Sequence, residues 1–269
     1  MQQDVYNRLR DIVYEQSGIR IKDGKMSMVS SRIGKRLRTL NLEDELAYVK
    51  YLEGSMHEEV VNLLDVISTN VTSFFREPHH FVRLRELMEQ WIAQGQRRFR
   101  VWSSACSTGE EPYTLAMVLK EIADASKAKL DIRILATDIS TRVLAEAKEG
   151  IYSDVRTEGI APHLRSKHMR TINGDDGLSY QMLPALKKMI VFRRMNLSQP
   201  PFPMKGPLDF VFCRNVMIYF DRPVRDGLVN EFHRLLRPDG YLMVGHSESL
   251  TQVDGMFSRD VSAVYRRSA

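Results

Sequence analysis

Phe99-Arg100-Val101-Trp102-Ser103-Ser104-Ala105-Cys106-Ser107-Thr108-Gly109-Glu110-Glu111-Pro112-Tyr113 is the stretch that decides the fold. The short apolar run Phe99–Ser103 reads as a strand and the small residues after it as a loop. Glu111–Ala123 then reads as an amphipathic helix, with Pro112 where a helix opens. The same grammar continues downstream. Strands are expected at Ile132–Thr137, Met189–Arg193, Leu208–Cys213, Tyr241–Val244 and Ser262–Arg266, and helices at Thr141–Lys148 and Val224–Leu236. Such alternation predicts an α/β fold with a mostly parallel sheet and helices on both faces. The last two strands leave no room for a crossover helix, so they are expected to form an antiparallel edge hairpin.

Upstream the pattern is helical throughout. Val5, Leu9, Ile12 and Val13 recur at helical spacing, with Gly18 as a stop. A second helix is expected over Lys25–Leu40, with the stripe Val29, Ile33, Leu37 and Leu40. A third starts near Leu42, and a fourth near His57 carries Val60, Val61, Leu64 and Ile67. The division expected is an all-helical unit over 1–76, a helical connector over 77–96 and an α/β domain over 97–269. The strong turn signal Asn173-Gly174-Asp175-Asp176-Gly177 marks a small β-hairpin inserted at about 165–185.

The totals agree with a folded chain: 269 residues, 43% hydrophobic and 27% charged. Two cysteines, Cys106 and Cys213, allow neither a disulfide framework nor a cysteine-based zinc pattern and suit a reducing cytoplasm. The sequence has no signal-peptide pattern and no uninterrupted apolar run of membrane-spanning length, so no membrane insertion is expected. A net charge of +5 permits a polyanionic partner without naming one.

Open α/β sheets bind ligands beyond the carboxyl ends of their strands. The first such end, Ser103–Gly109, lacks the G-x-G-x-x-G of dinucleotide sites. Two acids at the helix start, Glu110 and Glu111, would repel a pyrophosphate but tolerate or attract a cation. That favours S-adenosylmethionine, which carries a sulfonium and an ammonium and no phosphate; the acids also suit a helix dipole alone. At the second end Asp138 suits a hold on ribose hydroxyls, or caps the next helix. The later ends offer Asn196-Leu197 and Arg214-Asn215-Val216-Met217-Ile218-Tyr219, where Asn215 can serve a ligand or tie two loops together. The segment Ser68–Pro78 clusters polar side chains, two aromatics and Arg76, and could equally be a hinge.

Together, Ser68–Pro78, Val101–Tyr113, Ala136–Ile139, Asn196–Leu197, Phe212–Asp221 and Gly245–Glu248, with the helix Ser30–Leu40, resemble the chemotaxis receptor methyltransferase (CheR) family over nearly the whole chain and in the right order. The resemblance implies a Rossmann-like S-adenosylmethionine-dependent methyltransferase domain behind a small all-α N-terminal domain. It implies transfer of methyl groups to glutamate side chains of methyl-accepting chemotaxis receptors, yielding S-adenosylhomocysteine. It carries cofactor contacts onto Asn70, Thr72, Arg76, Glu111, Asp138, Asn196, Leu197, Asn215 and Val216.

A glutamate acceptor with an ordinary pKa near 4.3 is already ionised at neutral pH, so the reaction needs no strong base and no metal. No H-E-x-x-H pattern occurs, and the adjacent His79 and His80 cannot form that helical pair. Arg76 and Tyr219 are the candidates for orienting reacting groups, with cofactor binding and core packing as their respective alternatives. Arg32, Lys35, Arg36 and Arg38 lie in a basic run that is either a solvated face or, as the resemblance implies, a docking surface for an acidic receptor bundle. In some members of that family the β insertion adds a receptor's C-terminal tail peptide as an extra strand; the equal alternative is that it only covers a sheet edge. The runner-up, a nucleic-acid or small-molecule methyltransferase, draws on the pI of about 9.2. It lacks the Asn/Asp-Pro-Pro-Tyr edge of amino-group methylation, so no nucleic-acid partner is expected. A sensor that only binds the cofactor is a further alternative.

Overall fold

A computed structural model describes residues 1–174, 177–250 and 255–268. The turn residues Asp175 and Asp176 lie outside the described residues. Four helices come first: α1 (Gln3–Ser17), α2 (Met26–Leu40), α3 (Glu45–Gly54) and α4 (Met56–Ile67). The expected stripe of α1 is its buried face, and its last turn closes where the Gly18 N–H donates to the Tyr14 carbonyl at 2.7 Å. Asp44 caps α3 by accepting from the Ala47 N–H. The four helices share one apolar core centred on Leu9, Ile12, Ile33, Tyr48, Leu52 and Leu63.

α5 (His79–Ala93) leads into β1 (Arg98–Ser103), α6 (Glu110–Ser126), β2 (Asp131–Asp138) and α7 (Thr141–Glu149). There follow β3 (Ile151–Ser153), α8 (Asp154–Thr157), α9 (Pro162–His168), β4 (Met169–Gly174), β5 (Gly177–Met182), α10 (Pro184–Lys187), β6 (Ile190–Arg194) and β7 (Leu208–Cys213). A 3-10 turn at Met217–Tyr219, α11 (Arg222–Leu235), β8 (Leu236–Val244), β9 (Phe257–Val261) and β10 (Val264–Arg267) complete the order.

The main sheet runs β6-β2-β1-β7-β8-β10-β9. The first five strands are parallel, and β10 pairs antiparallel with both neighbours. β7 shows why both faces are covered: every residue in it is buried. Phe210 and Phe212 enter the core beneath α5 and α6, while Val211 and Cys213 enter the one beneath α11. This is the period-two alternation of a strand sandwiched between helical layers. Each such apolar side chain contributes about 1.5–3 kcal/mol by leaving water.

Strand order reverses between β1 and β7, so the crevice at their carboxyl ends is the expected ligand position. The expected antiparallel pairing of Tyr241–Val244 with Ser262–Arg266 forms as β8 with β10, and β9, a strand the sequence did not suggest, lies outside β10 at the rim. One expectation is corrected. The insertion is a three-stranded antiparallel sheet, β3-β5-β4, that begins at Ile151. It is anchored on the main core by Met169 and Met182, and by Tyr152, whose ring meets Phe74 edge-on at 4.9 Å.

Candidate active site

A cleft opens at the switch point, the place where open α/β sheets bind ligands. Every residue expected from the sequence to contact the cofactor lines it, and so does Tyr219. Asn70, Thr72 and Arg76 come from the segment after α4, Glu111 from the first turn of α6, and Asp138 from the end of β2. Asn196 and Leu197 follow β6; Asn215, Val216 and Tyr219 follow β7. The end of α1 adds Ser17 and Ile19, which the sequence reading did not anticipate.

Local hydrogen bonds explain the shape. Asp138 is not the cap of α7; Ser140 is, accepting from Val143 N–H. The Asp138 carboxylate instead accepts the Ser107 N–H at 2.8 Å and the Ser140 N–H at 3.0 Å, tying the β1 loop to the end of β2. With one bond on each oxygen, further lone pairs remain for a ligand's hydroxyls. Burial raises its pKa from the ordinary aspartate value. Asn70 holds the same loop through its carbonyl, which accepts from Ser107 Oγ. Its side-chain Nδ2 is buried beside the cleft and has no hydrogen-bond partner among the described residues, a donor free for a ligand acceptor.

Asn215 has a left-handed backbone, φ 57°, and its N–H donates to Glu248 Oε2 at 2.8 Å. Glu248 also accepts from the Gly245 and Ile218 N–H groups. A Cβ at Gly245 would stand 2.4 Å from Asn215 Nδ2, so only glycine allows this approach. The loop is sutured to the helical unit: Arg20 N–H donates to the Tyr219 carbonyl at 2.8 Å, and Tyr14 Oη to Asp221 at 2.5 Å. Asn196 Nδ2 donates to the Gln16 carbonyl at 2.8 Å, and its oxygen accepts from Ser198.

Of the two acids expected at the helix start, only Glu111 lines the cleft. Glu110 turns away to pair with Arg156. Glu111 is bound on both oxygens, by Ser103 Oγ at 2.6 Å and by Arg214 at 2.9 Å. Burial nonetheless raises its pKa. Arg214, with a side chain 3% exposed, bridges Glu111 and Glu77. It is the site residue that sequence reasoning left without a role, although it stood in the quoted strand end. Arg76 spends one donor on the Val71 carbonyl at 3.0 Å, which leaves further donors for a carboxylate.

Behind Glu77, the His79 ring lies against those of His80 and His246 in tilted contacts, with centroids 4.0 and 4.3 Å apart. Burial and then Arg214 push the pKa of His80 down to about 3. Its 3.6 Å approach to Glu77 is therefore no ion pair. Among the described residues no cluster of three or more His, Cys, Asp or Glu is arranged to hold a metal ion.

The basic run on α2 divides. Arg36 makes two bonds to the buried Glu59, at 2.8 and 2.7 Å, and Tyr48 Oη adds a third. Arg32 donates to the Ile67 and Ser68 carbonyls at the edge of the cleft. Lys35 and Arg38 are exposed. Arg32 and Arg36 thus hold the helical unit together, and the expectation of one free basic face holds only for the other two.

Comparison with known proteins agrees with this geometry. Residues 70–265 match the CheR methyltransferase, SAM binding domain, and residues 4–68 match the CheR methyltransferase, all-alpha domain. A chemotaxis protein methyltransferase of Borreliella burgdorferi is 40% identical over 253 residues, covering 92% of this chain and 88% of that protein. One of Escherichia coli is 36% identical over 265 residues, covering 98% and 90%. Chemotaxis protein methyltransferase 2 of Pseudomonas aeruginosa is 34% identical over 260 residues, covering 97% and 91%. With both family domains matched in order and the sequence-marked residues gathered in one cleft, the chain belongs to the CheR methyltransferase family and is an S-adenosylmethionine-dependent methyltransferase.

Proposed function

We propose that the protein transfers the methyl group of S-adenosylmethionine to glutamate side chains of methyl-accepting chemotaxis receptors, giving glutamate methyl esters and S-adenosylhomocysteine in chemotaxis adaptation. The observation that carries this reading is the convergence of Asn70, Arg76, Asp138 and Asn215 on one cleft in a chain of this family. The residues present suit the cofactor: Asp138 has spare acceptors for a ribose diol, Asn70 Nδ2 is an orphaned donor, and Arg76 has donors for a carboxylate. When bound, S-adenosylmethionine supplies a methyl group activated by a sulfonium.

The protein's own part is to orient and to exclude water. Positioning alone can be worth about 7–11 kcal/mol. Tyr219 borders the cleft on a loop fixed by Arg20 and Glu248, so it is our candidate for orienting the acceptor carboxylate; Arg76 holds the cofactor or the acceptor. Because a glutamate acceptor is ionised at neutral pH, no group need remove a proton from it. Mass-spectrometric mapping of methylated receptor would test the acceptor: methyl groups on glutamate side chains support the reading, and methyl groups confined to other residues refute it.

Receptor docking is assigned to the exposed Lys35 and Arg38 of α2, opposite an acidic helical bundle. The double variant Lys35→Glu/Arg38→Glu is expected to bind cofactor as wild type does and to lose about tenfold in receptor methylation at low salt. Unchanged methylation at low salt would remove the docking role. Arg32 and Arg36 are unsuitable for this test, because their loss perturbs Glu59 and the cleft edge. In the insertion the order β3-β5-β4 leaves β4 with an unpaired side, where an extended receptor tail peptide could add as a strand. Among the described residues no helix is long and apolar enough to cross a membrane, which is compatible with action at the cytoplasmic side of receptors.

A further inference from the structure

Arg76 sits between two residues in left-handed backbone conformations, Phe75 at φ 53° and Glu77 at φ 55°. For residues with a side chain this conformation is strained, and it persists only where the surroundings enforce it. Here they do so from two sides. The Phe75 N–H donates to Thr114 Oγ1 of α6 at 3.2 Å. The Arg214 guanidinium donates both to the Arg76 carbonyl and, at 3.1 Å, to Glu77 Oε2. Glu77 Oε1 accepts from Asn215 Nδ2 and from the His246 N–H, each at 3.4 Å.

Glu77 is not among the residues lining the cleft, so a contact with cofactor does not explain it. Charge balance for Arg214 does not explain it either, since Glu111 already pairs with that guanidinium at 2.9 Å. A second carboxylate, 13% exposed, adds desolvation cost that a single pair would avoid. Burial acts against its ionised form, yet Arg214 holds its pKa below the ordinary value, so it stands as a carboxylate. What the second carboxylate adds is geometric: it locks the residue directly after Arg76 to the end of β7.

We propose that Glu77, through Arg214, is a positioning residue that fixes the strained Phe75–Glu77 turn and so presents the Arg76 side chain to the cofactor in its binding geometry. The proposal rests on reading the cleft as the S-adenosylmethionine site. It is independent of which acceptor is methylated.

The test is a double-mutant cycle read by calorimetry with S-adenosylhomocysteine. Glu77→Gln is expected to weaken binding about tenfold in the wild-type background and less than about threefold in Arg76→Ala, because the residue it positions is gone. Equal losses in both backgrounds would reduce Glu77 to a general structural role and overturn the proposal, as would unchanged affinity in the wild-type background. Should Glu77→Gln fail to fold, Glu77→Asp in the same two backgrounds carries the same expectation. Wild-type protein that binds no S-adenosylhomocysteine would overturn the assignment of the cleft itself, a failure seen before any variant is made.

Discussion

Asp138→Ala is expected to weaken S-adenosylmethionine binding by about 100-fold, equivalent to about 3 kcal/mol, with little loss of thermal stability. The affinity loss follows from removing a charged acceptor that faces the cleft with lone pairs to spare. The mild effect on stability follows from its environment. Burial raises the pKa of this carboxyl, so its ionised form is held at a cost in the free protein. Alanine removes that cost while leaving the Ser107 and Ser140 N–H groups without their partner, and the two effects offset. Calorimetry and a thermal melt on the same sample check both halves. Unchanged affinity would end the assignment of Asp138 to the cofactor, and a large drop in midpoint would make it chiefly a structural tie.

Arg214→Ala is expected to cost the most stability of the site variants. Its side chain is buried between Glu77 and Glu111 and also stacks over the Phe81 ring. Removing the cation leaves two desolvated carboxylates facing each other's field, a change that costs about 3–5 kcal/mol when a buried pair is broken. In a chain of this size that corresponds to a fall of roughly 10 °C in thermal midpoint. A midpoint within about 2 °C of wild type would mean that the carboxylates take up protons or water at little cost.

The strand-loop-helix reading of Phe99–Tyr113 pointed to the sheet, because buried strands such as β7, apolar at every position but Asp209, admit few alternatives. The rim was harder. Of the residues of β9 only Phe257 is buried, and its charged remainder reads as loop. β3 is three residues long and gains its identity only by pairing with β5.

Asp138, Asn196, Leu197, Asn215 and Val216 were legible because they follow strand ends, which topology assembles, whereas Asn70, Thr72 and Arg76, which follow α4, were marked by the family resemblance. The network behind them was not. Arg32 and Arg36 find their acceptors 35 and 23 residues away, and Arg214 finds Glu77 137 residues upstream. Sequence spacing cannot distinguish such a buried tie from a solvated charge. The signal available for Arg214 was its position directly after the apolar run Phe210–Cys213, where an unpaired guanidinium would be costly.

The central claim is the reaction itself. Transfer of radiolabelled methyl from S-adenosylmethionine to chemoreceptor-containing membranes, followed by mild alkali, tests it most directly. The account predicts that label enters the receptor and leaves as volatile methanol, the signature of a carboxyl methyl ester. Label that is absent from the receptor, or that resists alkali, would contradict it.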